Sequence, residues 1–196
     1  MSFKVLNIKF DISVPFAVVI TFLLLMDNTG LMTASLFPVV VHELGHLIIM
    51  KKIGCAPQSI KFSAAGILIS GTSYCTLKEN IFVALAGPIT NLFLTLLLYL
   101  LGNIFSYKIL IVYSAVQLLV ALINLLPIKG LDGGAISLYI FEHFNIANAK
   151  MLCSLVSIIT ACAVIVFGTA VFIKNTSNPS LLLLGIYLII LNIMKS

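Results

Sequence analysis

The 196-residue sequence is 61% hydrophobic and only 9% charged, against roughly a quarter charged in soluble domains. So few charges cannot coat a globule of this size, which excludes soluble and disordered chains and predicts a polytopic membrane protein. The net charge of +5 comes from lysine alone. With no arginine and no basic cluster, nucleic-acid binding is not expected.

Apolar runs, taken in chain order, predict about six spans at roughly 20 residues each. The first covers about 12–26 and ends at the turn signal Asp27-Asn28-Thr29-Gly30. No small-x-small site follows it, so it reads as a retained span rather than a cleaved signal. The second, about 31–50, ends at Lys51-Lys52. The third, about 80–101, closes at Gly102-Asn103, and the fourth, about 109–126, at Pro127. A mixed stretch, 128–150, precedes the fifth run at about 151–173. The last, about 181–194, follows a turn from Lys174 to Pro179. Between the second and third runs, Ser59-Ile60-Lys61-Phe62-Ser63 alternates polar and apolar residues, and Gly66 to Gly71 bound a β-prone run. This pattern predicts a small hairpin or sheet at the membrane surface, an ordinary connecting loop being the alternative. The expected fold class is an all-α polytopic membrane protein of about six transmembrane helices. It carries a small membrane-associated β element between spans two and three, in a single domain over 1–196.

With the N-terminus inside, the outer turns hold only Lys108 and Lys174, and the other lysines fall on the inner side. The expected location is therefore the cell membrane, multi-pass, with both termini cytoplasmic. Cys153 and Cys162 read as small core residues. Cys55 and Cys75 flank the β-prone stretch, and the cytoplasmic placement predicts that they stay unpaired.

The second span contains His42-Glu43-Leu44-Gly45-His46, an HExxH motif. Positions i and i+4 share a helix face, so both imidazoles can reach one zinc ion. Glu43 projects from the adjacent face, the place for a general base in metal-assisted hydrolysis. The opposing reading, buried polar residues serving as helix glue, has to carry three ionisable groups in five positions of a span, each costly unless paired or coordinated. Two histidines leave a third ligand to find. Asp132, in Asn124-Leu-Leu-Pro127-Ile-Lys-Gly130-Leu131-Asp132-Gly133-Gly134, is the best candidate. Pro127 and the glycines break the helix and free the backbone to aim its carboxylate. Spans two and four run in the same direction, and both motifs lie toward their cytoplasmic ends, which puts the zinc nearer the cytosol. Glu142-His143 is a weaker source of a ligand, in a stretch that reads as interfacial. Asn124 is either a hydrogen bond between helices or a substrate contact. Ala86-Gly87-Pro88, with Asn91 after it, allows close helix approach. A scissile peptide must be extended, and the run 60–70, with Gly66, Ile67, Leu68 and Ile69, can offer it an edge strand.

HELGH in the second span, Ala86-Gly87-Pro88 with Asn91 in the third and NLLPIKGLDGG after the fourth together resemble the site-2 protease family of intramembrane zinc metalloproteases. The resemblance covers a three-span core, roughly 31–134, and is nearest to the compact sporulation-type branch. It implies that His42, His46 and Asp132 are zinc ligands, that Glu43 is the catalytic glutamate, and that 53–76 is a membrane-associated β region receiving the unwound substrate. The implied partners are the lipid bilayer and a membrane-anchored substrate, such as a sigma-factor or other transcription-factor precursor or an anti-sigma factor. The sequence also departs from parts of the family. No PDZ domain interrupts it, which points away from the branch acting after a periplasmic first cut, and these residues include no nucleotide-sensing domain. Two other functions use the same residues. A zinc transporter would spread ligands along several spans as a relay, whereas here they converge at one depth. A non-catalytic membrane-protein binding partner would have no use for Glu43.

Overall fold

The computed structural model describes residues 2–5, 8–13, 21, 25, 31–55, 57, 59–63, 66–70, 75–174 and 179–194. It divides into two compact units, Met1–Ala121 and Leu122–Ser196.

The first unit holds a four-stranded sheet in the order β1-β2-β3-β4. Strands β1 (Ser2–Val5) and β2 (Ile8–Ile12) are antiparallel, with Phe3 opposite Phe10. Their alternation of apolar and polar residues is visible in the sequence, but the reading above places no strand there. β2 runs parallel to β3 (Ser59–Ser63), with Phe10 opposite Ile60. Parallel neighbours need a long crossover, and here it contains helix α1 (Leu31–Lys52). β3 and β4 (Gly66–Ser70) are antiparallel, Ile60 facing Ile69, which leaves β1 and β4 as the sheet's edges.

Cys55 and Cys75 form a disulfide with Cα atoms 5.9 Å apart. This corrects the expectation of unpaired cysteines. The antiparallel return of β3 and β4 brings the two ends of the insertion together, a proximity that an argument from compartment alone does not see. Cys153 and Cys162 are free; Cys153 is buried, whereas Cys162 is exposed, which corrects its reading as a core residue.

Immediately after Cys75, Thr76 starts helix α2 (Leu77–Ile104) with a capping box. The Glu79 backbone N–H donates to Thr76 Oγ1 at 3.3 Å, and the Thr76 N–H donates to Glu79 Oε2 at 2.7 Å. The polar cap lengthens α2 beyond the apolar run. Helix α3 (Lys108–Asn124) follows and carries the chain into the second unit. There the stretch read as mixed contains α4 (Asp132–His143), followed by α5 (Ala149–Lys174) and α6 (Ser180–Met194). Ile128, Ala161 and Leu188 form its core.

Among the described residues, α2 and α5 are long and apolar enough to cross a membrane, while α3 and α6 are apolar but shorter. The first expected span lies almost wholly outside the described residues. Only 33% of the apolar window of α2 and 17% of that of α5 is buried within the protein. Phe93, Leu96, Ile159 and Phe167 stand outward instead. Apolar surface on this scale marks a membrane protein, since a soluble core helix would turn those side chains inward.

Candidate metal centre

HELGH lies in the C-terminal half of α1, one helical turn separating His42 from His46. Both imidazoles are buried, at 4% and 6% exposure, and their Nε2 atoms lie 3.2 Å apart. Two nitrogens held at about 2.0–2.1 Å by one tetrahedral ion would be separated by about 3.3 Å, so the pair fits a shared zinc. The neighbouring helix sets the tautomer. His46 Nδ1 is 2.7 Å from the Val83 carbonyl of α2, so its N–H donates there and Nε2 keeps its lone pair for a ligand bond.

Glycine makes room for this pair. A Cβ on Gly87 would sit 2.5 Å from His46 Nε2 and 2.7 Å from His42 Nε2, so a methyl group there would occupy the space beside both donor atoms. A Cβ on Gly45 would lie 2.5 Å from Thr90 Oγ1 and 2.8 Å from the Ala86 carbonyl. HELGH and Ala86-Gly87-Pro88 are thus the two faces of one close helix contact. Glu43 is half-buried and projects about 100° around α1 from His42. Asn91 is fully buried, and its amide oxygen and nitrogen have no hydrogen-bond partner among the described residues. The same holds for Gln117 on α3, which the sequence reading did not single out.

The second unit places Asn124 and Asp132 at the two ends of a tight turn. Asn124 is the last residue of α3 and Asp132 the first of α4, both half-buried. Between them the Leu126 N–H donates to the Ile123 carbonyl, and the Leu131 N–H to that of Ile128. Gly130 adopts φ 96°, which favours glycine. A Cβ on Gly133 would run into the Leu125 carbonyl, and one on Gly134 into that of Ile128. Gly133 and Gly134 are therefore required by the turn that fixes where the Asp132 backbone sits. Glu142 and His143 close the far end of α4, about 15 Å from Asp132 at 1.5 Å per residue, so they cannot share one ion with it. Burial, and next the Glu142 charge, push the Tyr139 phenol above its ordinary range. Gly66, Ile67, Leu68 and Ile69 lie on β4, at an edge of the sheet.

No protein-family model matches the chain. It is 26% identical over 149 residues to a zinc metalloprotease of Methanocaldococcus jannaschii, MJ0392, a match covering 68% of this chain and 43% of the relative. The chain thus spans less than half the length of that relative. Its fold is similar to that of a site-2 protease from Methanocaldococcus jannaschii, with a TM-score of 0.66 and 21% identity over 100% of this chain and 95% of the other. The chain thus shares the fold of that site-2 protease and, over two thirds of its own length, a sequence likeness to a zinc metalloprotease.

Proposed function

We propose that this chain is a zinc-dependent endopeptidase that hydrolyses a peptide bond in or beside a membrane-embedded segment of a protein substrate. The observation that carries the reading is the histidine pair, whose Nε2 atoms are buried, 3.2 Å apart, and kept clear by a glycine. Asp132 supplies the oxygen of a two-nitrogen, one-oxygen donor set that suits catalytic zinc, and three protein ligands leave one position open. The likeness to a protein named as a zinc metalloprotease supports the same choice of metal.

Bound zinc would supply Lewis-acid polarisation and would lower the pKa of the attacking water toward about 7. The other steps fall to the protein's own groups. Glu43 takes the proton of the attacking water and later gives it to the leaving amine. His46, through Nδ1 on the Val83 carbonyl, is held in the tautomer and orientation that binding needs. β4, as an edge strand, pairs with the extended substrate through Gly66 to Ile69, and Asn124 contacts the substrate backbone. The chain acts as one catalytic domain in the cell membrane, multi-pass. The lysine distribution favours both termini and the zinc site toward the cytosol, against which the Cys55–Cys75 bond stands as the contrary observation. Its substrate is a membrane-anchored regulatory protein, such as a sigma-factor precursor or an anti-sigma factor.

The test is cleavage of a candidate membrane-anchored substrate by purified protein in detergent. Glu43→Gln should lower turnover by about 10²–10⁴-fold while zinc stays bound. Cleavage that survives both Glu43→Gln and thorough chelation would overturn the proposal, and zinc flux without proteolysis would indicate a transporter.

A further inference from the structure

A cavity of about 550 Å³ opens in the second unit around the start of α4. Its charged lining consists of Lys129, Lys150 and Asp132, and Leu131, Ala135 and Leu138 supply apolar wall. The frame that carries these residues is held by specific bonds. The Lys129 backbone N–H donates to Ser157 Oγ on α5 at 2.9 Å, and Lys150 stands in the first turn of that helix. Cys153, also on α5, donates its thiol to the Gly134 carbonyl at 3.5 Å. Both lysines and Asp132 therefore belong to one packed α4–α5 body. Neither ammonium is in an ion pair among the described residues.

Once Asp132 is committed to a metal, the remaining charge of the lining is two cations and no anion. Partly apolar walls strengthen the field of such a pair, and a carboxylate placed between them makes charge-assisted hydrogen bonds. The volume is that of a ligand pocket, large enough for a side chain together with its neighbouring backbone. We propose that this cavity is a specificity pocket for an acidic substrate residue, Asp or Glu, with Lys129 and Lys150 as its counter-charges. The proposal rests on Asp132 lying at the reacting centre, because a residue seated beside Asp132 is then close to the scissile bond. An anionic lipid headgroup would present similar chemistry to the lysines, but a cavity that shares a lining residue with the metal centre favours the peptide.

The test uses the 196-residue chain in detergent and synthetic membrane-anchored peptides in which each position flanking the cut is Asp, Asn or Lys. Binding is measured first, by fluorescence anisotropy with the inactive Glu43→Gln protein, so that it does not depend on turnover. One position should prefer Asp over Asn by about tenfold in Kd, the scale of one charge-assisted hydrogen bond. Adding Lys129→Gln and Lys150→Gln should bring that ratio close to one, and reversal of both to Glu should shift the preference to Lys. In the active protein the Asp preference should appear in KM more than in kcat. Equal binding of Asp and Asn peptides at every position would overturn the pocket. A ratio unmoved by the lysine variants would do the same, as would loss of the Asp preference when phosphatidylglycerol replaces phosphatidylcholine in the micelles. Charge-selective binding with no cleavage by the wild type would instead uphold the pocket and sink the protease reading.

Discussion

Two helix pairs pack by the same device and bury different things. In the first unit α1 meets α2 through Gly45 and Gly87; in the second α5 meets α6 through Gly168 and Gly185. A Cβ on Gly168 would meet the Leu182 backbone at 3.0 Å, and one on Gly185 would meet Ile165. Around that contact the core is Ile128, Ala161 and Leu188, and the polar groups buried beside it are few, Ser157, bonded to the Lys129 N–H, and Asn192. The α1–α2 contact encloses two imidazoles, and α2 also buries the unpartnered amide of Asn91. Polar groups buried in a membrane protein cost stability unless bonded or coordinated, so the first pair gives up what the second keeps. Small residues at a helix crossing therefore do not by themselves mark a site; what they make room for does.

Substituting the glycines should separate the two roles. The largest effect is expected from Gly87→Ala, whose methyl group must displace the His42 and His46 rings. Cleavage should fall at least about 10²-fold and zinc affinity should drop, with helix content by circular dichroism retained. A Gly87→Ala protein with normal zinc content would show that the rings have another arrangement. Gly168→Ala is the matching change in the second pair. It should cost about 1–3 kcal/mol of stability through overpacking, read by thermal unfolding in detergent, while zinc per chain stays unchanged. The smallest effect is expected from Asn91→Leu. Removing an amide that has no partner among the described residues should leave stability equal or raise it by about 1 kcal/mol, whereas a clear loss would mean that the amide is bonded when the protein works.

Legibility in the sequence also differed between regions. HELGH announces its geometry because helical periodicity alone puts both histidines on one face, and Asp132 stands out because proline and glycine break the helix just before it. Ala86-Gly87-Pro88 was readable as a close approach, but nothing local said that Gly87 faces the histidines or that Val83 holds His46. Those are contacts between helices, set by the rotation of α2 about its axis. Helix ends moved outward where polar residues, such as Thr76 and Glu79, cap what hydropathy had trimmed. The Ser59–Ser63 alternation and the run from Gly66 coincide with β3 and β4, while the same alternation at Ser2–Val5 and Ile8–Ile12, ahead of the first apolar run, forms two strands that were not expected. The Cys55–Cys75 bond was missed because compartment was weighed and the return of the hairpin was not. The α4 helix was hidden by its two glycines, which are poor helix formers but are required by the turn before it.

The central claim is that His42, His46 and Asp132 hold one zinc ion and that Glu43 does not. X-ray absorption at the zinc edge, with metal analysis of the same purified sample, tests it most directly. The account predicts about one zinc per chain with two imidazole nitrogens and carboxylate or water oxygen at about 2.0–2.2 Å, unchanged in Glu43→Gln and depleted in Asp132→Ala. Full zinc with unaltered ligation in Asp132→Ala, or loss of zinc in Glu43→Gln, would contradict it.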